Sequence, residues 1–382
     1  MIDKNIYLNE QHKMLRDQVR RFVDSEIKPH AEQWEEDGKI PRELFKKFGD
    51  LGLFGIRYPE QYGGSEMDTL ATVVTSEELA KSTFGGVTVS LMVHSDMASP
   101  HLFNAGSDEQ KDRYMPSIVA GDIVTAVAVT EPDAGSDVAG IKTRGVKDGN
   151  EWVINGSKMF ITNGVHADLY FVAVKTDMEA KGSRGMTMFM IEKGTPGFTV
   201  GRALKKSGWL CSDTAELIFK DCRVPEGNIL GGEGRGFYAV MQNFQNERLA
   251  VAAQSIGEAQ KAIDITVQYV RDRKAFGGVL WDKQVIRNKL AQRQAEVAAA
   301  RQLLYHTAWL DTQGHDCVKE VSMVKALCGD LAVKVLMDCA QYHGGASYLR
   351  ETAIERMVRD VRVEAIGGGA TEVMLEEVAK RM

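Results

Sequence analysis

The strongest constraint on this fold is a change of hydrophobic period in mid-chain. From about Asn9 to Asp122 apolar residues recur at helical spacing: Leu15, Val19, Phe22, Val23 and Ile27 mark one face of a first helix, with charges between them. "PRELFKKFGDLGLFG" repeats the signal behind a proline, and "GSDEQKDRYMPSI" carries a capping box of Ser107 with Gln110. At "DIVTAVAVTEPDAGSD" the texture switches. Residues 123 to 224 fall into short pieces rich in Val, Ile, Thr and Phe ("VTAVAV", "EWVINGSKMFIT", "LYFVAVKT", "MTMFMIE", "AELIFKDCRV") separated by Gly, Asp and Asn turns. Beyond "PEGNILGGEGRGF" the 3.6 period returns in long, Ala-rich helices. The expectation is an α+β chain: an N-terminal helical domain over 1–122, a middle antiparallel β-domain over 123–231 and a C-terminal helical bundle over 232–382. Strands do not alternate with helices, and "GGEGRG" does not give G-x-G-x-x-G, so a Rossmann domain is not expected.

Composition narrows the partners. A chain of 382 residues with 44% hydrophobic and 26% charged residues has ordinary globular make-up, and a net charge of -6 with scattered Lys and Arg offers no basic field for nucleic acid. No apolar run is long enough to span a bilayer, and the start "MIDKNIYLNEQHKMLRDQVRRF" has no signal or transit pattern, which suggests a cytoplasmic protein. The five cysteines form no C-x-x-C pair; Cys317, Cys328 and Cys339 fit one helical region as core thiols. His94 and His101 read as packing residues, so no metal is expected.

Four stretches could carry chemistry. In "VTEPDAGSD", Thr130, Asp133, Gly135, Ser136 and Asp137 put hydroxyls and pliant backbone into one loop suited to a polar ligand edge, although a plain β-turn uses the same residues. In "KMFITNG", Phe160 and Thr162 share one side of a strand, an aromatic plane beside a hydroxyl donor that would suit a flat heterocycle; an ordinary half-buried strand looks the same. In "NFQNERLAV", Phe237, Val240, Met241, Phe244 and Val251 trace a buried helix face, and Glu247 projects beside it with no Lys or Arg at i±3 or i±4. Either desolvation there raises its pKa towards that of a general base, or it is a surface glutamate. "RDRKAFG", "QYHGG" and "IGGGATE" combine arginine with glycine runs that suit a pyrophosphate, or are solvated helix ends.

In this order, and over nearly the whole chain, these stretches resemble the acyl-CoA dehydrogenase family. The resemblance implies a homotetrameric flavoenzyme that binds FAD, desaturates an acyl-CoA thioester and passes electrons to an electron-transfer flavoprotein. It implies that Val129, Thr130 and Ser136 touch the flavin and the CoA end of the substrate, that Phe160 and Thr162 contact the isoalloxazine, and that Arg273 and Phe276, with Gln284 nearby, reach a neighbouring subunit's FAD. Gln341, Gly344 and Gly345 match the segment along the FAD pyrophosphate, and Thr371 and Glu372 the last cofactor contacts, with Ala370 in place of the usual threonine.

Many members carry their catalytic glutamate in an "I-Y-E-G-T" segment, where this chain has Ile366, Gly367, Gly368, Gly369 and Ala370. In the isovaleryl-CoA and long-chain branches the base instead lies on the helix after the β-domain, and "NERL" places Glu247 and Arg248 there. The resemblance therefore assigns proton abstraction to Glu247, an oxyanion contact to the backbone NH of Gly368, and substrate contacts to Ser136, Gln245, Arg248 and Gly368. The cleared volume at Gly368 suggests a branched or long acyl group. An acyl-CoA oxidase using dioxygen and a non-catalytic acyl-CoA or flavin-binding protein are the alternatives. Glu364 and Glu372 lie near the glycine run, and Glu376 has Lys380 at i+4 as a helix pair.

Overall fold

The computed structural model describes residues 5–180 and 182–382; the first four residues of the N-terminal stretch read above lie outside the described residues. Helices α1 (Glu10–Phe22), α2 (Ala31–Asp37), α3 (Arg42–Asp50), α4 (Thr69–Ala80), α5 (Gly85–Met92), α6 (Ser99–Ala105) and α7 (Asp108–Val119) come first. Leu15, Val19, Phe22, Val23 and Ile27 are all buried, although the last two belong to a π-helical continuation of α1 over Val23–Ile27. The expected capping box starts α7: the Gln110 N–H donates to Ser107 Oγ at 3.2 Å and the Ser107 N–H to Gln110 Oε1 at 2.8 Å.

Strands β1 (Thr125–Ala128), β2 (Arg144–Asp148), β3 (Glu151–Thr162), β4 (Leu169–Lys175), β5 (Met186–Glu192), β6 (Phe198–Ala203), β7 (Thr214–Pro225) and β8 (Ile229–Leu230) form one sheet in the order β6-β7-β3-β2-β4-β5-β8, with β1 pairing to β4. The sequence suggested an antiparallel sheet, but two of its pairings are parallel. β1 runs parallel to β4 from Thr125↔Leu169 to Ala128↔Val172, and Arg144 of β2 pairs in parallel with Lys175. Between β1 and β4 the chain makes a loop and the β2–β3 hairpin, the crossover that parallel pairing requires. Every residue of β4 is buried. Leu169, Phe171 and Ala173 enter a core shared with α6 and α7, while Tyr170, Val172 and Val174 enter the sheet's own core with Trp152, Phe189 and Phe219.

The C-terminal part is α8 (Gly236–Asp272), a two-strand hairpin β9 (Lys274–Ala275) and β10 (Gly278–Val279), then α9 (Gln284–Thr312), α10 (Val318–His343), α11 (Ala353–Val361) and α12 (Thr371–Ala379). α8 joins three cores: Val240 packs with α6, α7 and the sheet, Ala250 and Val251 with the N-terminal helices, and Leu249 through Val270 with α4, α9 and α10. Backbones touch where α8 crosses α4, since a Cβ on Gly257 would stand 2.5 Å from the Glu77 carbonyl oxygen. Cys317, Cys328 and Cys339 are buried free thiols. Met241, expected on the buried face of α8, is instead exposed; Asn243 and Asn246 occupy buried positions there, donating to backbone oxygens of Asp96 and Met97. Their amides satisfy carbonyls in the neighbouring π-helical turn Val93–Ala98, a demand that a hydrophobic period does not register.

His94 in that turn ties the helical layer to the sheet. Its Nδ1 accepts from the Thr125 N–H at 3.0 Å, and its Nε2 lies 3.0 Å from the Ile118 carbonyl oxygen, which fixes a neutral tautomer. Burial lowers its pKa to about 4, and that of His101 likewise. Both groups therefore stay neutral in the fold while the unfolded chain takes up protons below about pH 6.5. Their contribution is complete above that pH and is lost as pH falls towards 4, on the order of 3 kcal/mol each. Urea unfolding at pH 7 and pH 5 checks this: His94→Asn is expected to lower stability at pH 7 and to lessen the further loss at pH 5.

Candidate active site

Glu247 stands in the first half of α8, on the turn of helix that passes the glycine segment before α12. Gly368 has φ +65°, a backbone state that favours glycine. A Cβ built on it would lie 3.5 Å from Glu247 Oε1, 3.5 Å from Val251 Cγ2 and 3.7 Å from Lys325 Cε. The carboxylate of Glu247 thus occupies the ground into which a side chain at position 368 would grow. Helix and loop converge on one spot.

Burial pushes the Glu247 carboxyl up to about 6, opposed by the positive charges of Arg248 and Lys325. No cation sits at helical spacing from Glu247, as read from the sequence. Lys325 reaches it from α10. Arg248 is buried with its guanidinium over the Phe244 ring at 5.0 Å, and its Nε has no hydrogen-bond partner. Such an orphaned, charged donor suits an anionic or carbonyl ligand. Gln245 turns away from this cluster, accepting from the Cys317 thiol at 3.5 Å.

A second group lies on the sheet. A buried ion pair joins the two loop motifs: Lys158 Nζ donates to Glu131 Oε1 at 2.8 Å and to the Val129 carbonyl at 3.0 Å, while the Met159 N–H donates to the Thr130 carbonyl at 2.9 Å. Glu131 also accepts from the Lys142 and Thr143 N–H groups, at 2.6 and 3.0 Å. Val129 and Thr130 are thereby fixed beside Phe160 and Thr162. A register shift between Lys158 and Ile161 in the β3–β7 pairing bulges the strand at Phe160, which has φ +62° and is 65% exposed. An aromatic ring held outward on a strained backbone is a ligand platform in want of a flat partner. Ser136 is exposed on the same loop, whose turn is closed by the Glu131 N–H donating to Ala134 O at 2.9 Å.

The remaining predicted residues lie elsewhere. Arg273 and Phe276 belong to the β9–β10 hairpin beyond the end of α8, and Phe276 has φ +53° with 88% exposure. From Glu247 to the last residue of α8 the helix runs about 38 Å, so these two do not meet the Glu247 cluster within one chain. Gln284 opens α9, and Gln341, Gly344 and Gly345 close α10, all of them exposed. Nothing lies within 4 Å of a Cβ built on Gly344 or Gly345, a surface free to take a pyrophosphate. Thr371 and Glu372 start α12; the Thr371 hydroxyl donates to Asp330 Oδ1 at 3.0 Å, and Glu372 is exposed. Lys380 pairs with Glu377 at 3.0 Å, not with Glu376 as its spacing suggested, because Arg381 and Lys380 both fold back over the last turn onto Glu377. Among the described residues no group of His, Cys, Asp and Glu could hold a metal ion, and no helix is long and apolar enough to cross a membrane.

Sequence reasoning passed over Lys325, Lys158 and Glu131. Lys325 had a signal: it stands on the apolar stripe of Val321, Cys328 and Ala332 in α10, where a lysine demands an internal partner.

Comparison with known proteins accords with this geometry. Three family models match: "Acyl-CoA dehydrogenase, N-terminal domain" over residues 9–122, "Acyl-CoA dehydrogenase, middle domain" over 126–222 and "Acyl-CoA dehydrogenase, C-terminal domain" over 234–382. The long-chain specific acyl-CoA dehydrogenase of Mus musculus is 38% identical over 381 residues, covering 98% of this chain and 87% of the relative. The isovaleryl-CoA dehydrogenase of Pongo abelii is 37% identical over 369 residues, covering 96% and 87%. The crystal structure of an acyl-CoA dehydrogenase from Geobacillus kaustophilus superposes with a TM-score of 0.95 at 41% identity, covering 98% and 99%.

The Glu131–Lys158 pair yields a stability prediction. Lys158→Met strands a buried carboxylate and is expected to cost about 3–5 kcal/mol in urea unfolding. The double replacement Lys158→Met with Glu131→Leu should recover part of that loss.

Proposed function

The chain belongs to the acyl-CoA dehydrogenase family and is an FAD-dependent oxidoreductase of acyl-CoA thioesters; from that premise we propose that Glu247 is its base and that its substrate is a branched or long acyl-CoA. One observation carries the reading: the carboxylate from α8 fills the place open to a side chain at Gly368, so the helix supplies the acid that the loop lacks. FAD, when bound, supplies the acceptor for the β-hydride. Glu247 removes the α-proton, and its raised pKa makes it a stronger base than an exposed glutamate while leaving it ionised at neutral pH. The Gly368 N–H donates to the thioester carbonyl as charge develops there, and a residue with no side chain lets the carbonyl approach. Arg248 brings an unpaired donor for the substrate.

The geometry of the second group supports FAD against Phe160, Thr162, Val129 and Thr130. Arg273 and Phe276 lie too far from Glu247 to serve the same site, which supports a multimer, a homotetramer by family likeness, in which they complete a neighbour's cofactor site. An electron-transfer flavoprotein is the proposed electron acceptor. The substrate class follows from shape. Gly367, Gly368 and Gly369 add no side chain beside Glu247, and relatives named for long-chain and isovaleryl substrates have comparable identity to this chain.

Anaerobic bleaching of the flavin, followed by absorbance, tests both parts. Glu247→Gln should keep its FAD and bind acyl-CoA yet reduce about 10²–10⁴-fold more slowly; reduction at parental speed would remove Glu247 from the role. Because the base works as carboxylate, kcat/KM should rise with pH through an acid limb near 6 and level off above it. Branched or long thioesters should bleach the parent with higher specificity than straight short ones, and the reverse order would refute the substrate class.

A further inference from the structure

Lys325 is fully buried on the face of α10 that meets the glycine segment. Its Nζ donates to the carbonyl oxygens of Glu364 at 2.7 Å and Gly369 at 3.0 Å. These two carbonyls bracket Gly368, so one nitrogen ties both ends of the stretch that carries it. Its N-terminal end is closed by the Ile366 and Gly367 N–H groups donating to the Val363 carbonyl at 2.8 and 2.7 Å, but Gly367, Gly368 and Gly369 have no side chains to pack, and the last two adopt positive φ. Three consecutive glycines would otherwise sample many backbone states. The same side chain passes 3.7 Å from the Cβ position of Gly368, beside the Glu247 carboxylate.

From this geometry we infer that Lys325 is a positioning residue for the reaction, clamping the Gly368 N–H in place through the Glu364 and Gly369 carbonyls and adding, with Arg248, positive charge near the Glu247 carboxylate. The inference rests on the reading of Glu247 as base and Gly368 as carbonyl donor. The charges around Lys325 suit the role. Glu364 from the turn before the glycines, Glu247 and Arg248 from α8 and Cys328 on its own helix act on it; Glu258 of α8 and Asp360 of α11 stand next to Glu364, Glu377 of α12 next to Arg248, and Arg301 of α9 and Glu77 of α4 next to Cys328. Burial pushes both Glu258 and Glu364 up, and Asp360 adds to the rise of each, which favours their neutral forms. Burial lowers Lys325 itself to about 8, so it remains cationic at pH 7.

The test uses FAD-loaded Lys325→Met and Lys325→Arg beside the parent and Glu247→Gln, with three readouts: anaerobic bleaching by an acyl-CoA that reduces the parent, the acid limb of that rate, and amide deuterium exchange over residues 364–370. Lys325→Met should bleach roughly 10²-fold more slowly, as expected for a misplaced reacting geometry, and should expose the segment to faster exchange. Removing a cation disfavours the carboxylate, so its acid limb should move up by about one unit. Lys325→Arg keeps the charge, but its planar fork does not put one nitrogen on both carbonyls. It should exchange faster and bleach more slowly with the acid limb unmoved, and it decides alone if Lys325→Met fails to fold. Parental exchange, rate and acid limb in these variants, with Glu247→Gln slow, would overturn the inference and leave the base assignment standing. A Glu247→Gln enzyme that bleaches at parental speed would instead overturn the base and the electrostatic half of the inference, and exchange over 364–370 would then judge the clamp.

Discussion

Helix α8 is the element on which the other parts depend. At 37 residues it is about 55 Å long, and its side chains belong in turn to the core under the sheet, the core of the N-terminal helices and the core of the C-terminal bundle. Two glycines let it come that close. A Cβ on Gly236 would stand 2.7 Å from the backbone of β5 at Met188, and one on Gly257 would meet α4 at Glu77. A stiff rod anchored at both ends and in the middle leaves a side chain between two of those anchors little freedom of position. Glu247 is that side chain.

Around it the electrostatics oppose one another by design of the packing. Desolvation alone would neutralise a carboxyl in such a place, and full solvation would leave it a weak base. Two cations, one on the next residue and one from α10, bring it between these limits. The same low-dielectric surroundings strengthen whatever Gly368 and Arg248 donate to a ligand, since few waters compete there. Rigidity thus comes from apolar burial, while the working charges are set by three polar residues on two helices.

The sheet solves a separate problem. A ligand platform must be exposed to be useful, and exposed loops are ordinarily mobile. Here the Glu131–Lys158 pair and the Thr130–Met159 hydrogen bond fasten the loop after β1 to β3 beneath the exposed surface, so that Phe160 is presented outward on a fixed base. The ion pair is buried, and its carboxylate accepts from two backbone N–H groups as well, which offsets the desolvation that makes most buried pairs unprofitable.

Much of this was legible in the chain, because local order leaves a local trace. The switch of period marked the three parts; strands β3 and β5 coincide with the quoted pieces, and the capping box of α7 was spelled out by Ser107 and Gln110. Glu247 stood out because a carboxylate beside an apolar stripe, with no cation at helical spacing, is conspicuous in sequence. Met241 and the pair Glu376–Lys380 were misread for want of neighbours: a helical period gives an angle about the axis, and not what stands opposite or which of two acids a flexible lysine meets. The direction of β1 against β4 was likewise invisible, since alternation records faces and not partners.

What the sequence determined by itself was which residues were unusual for their setting: a triple glycine without an acid and a glutamate on a half-buried face, with a lysine in an apolar stripe as a signal left unread. Only the tertiary structure decided that these three meet. Gly368, Glu247 and Lys325 are held by different elements, and a Cβ built on Gly368 would stand 3.5 Å from Glu247 and 3.7 Å from Lys325 because α8, α10 and the segment before α12 close on one point. The physical reason is that a hydrophobic period acts over a few residues along one element, whereas the field at a carboxylate is summed over whatever the fold brings near it.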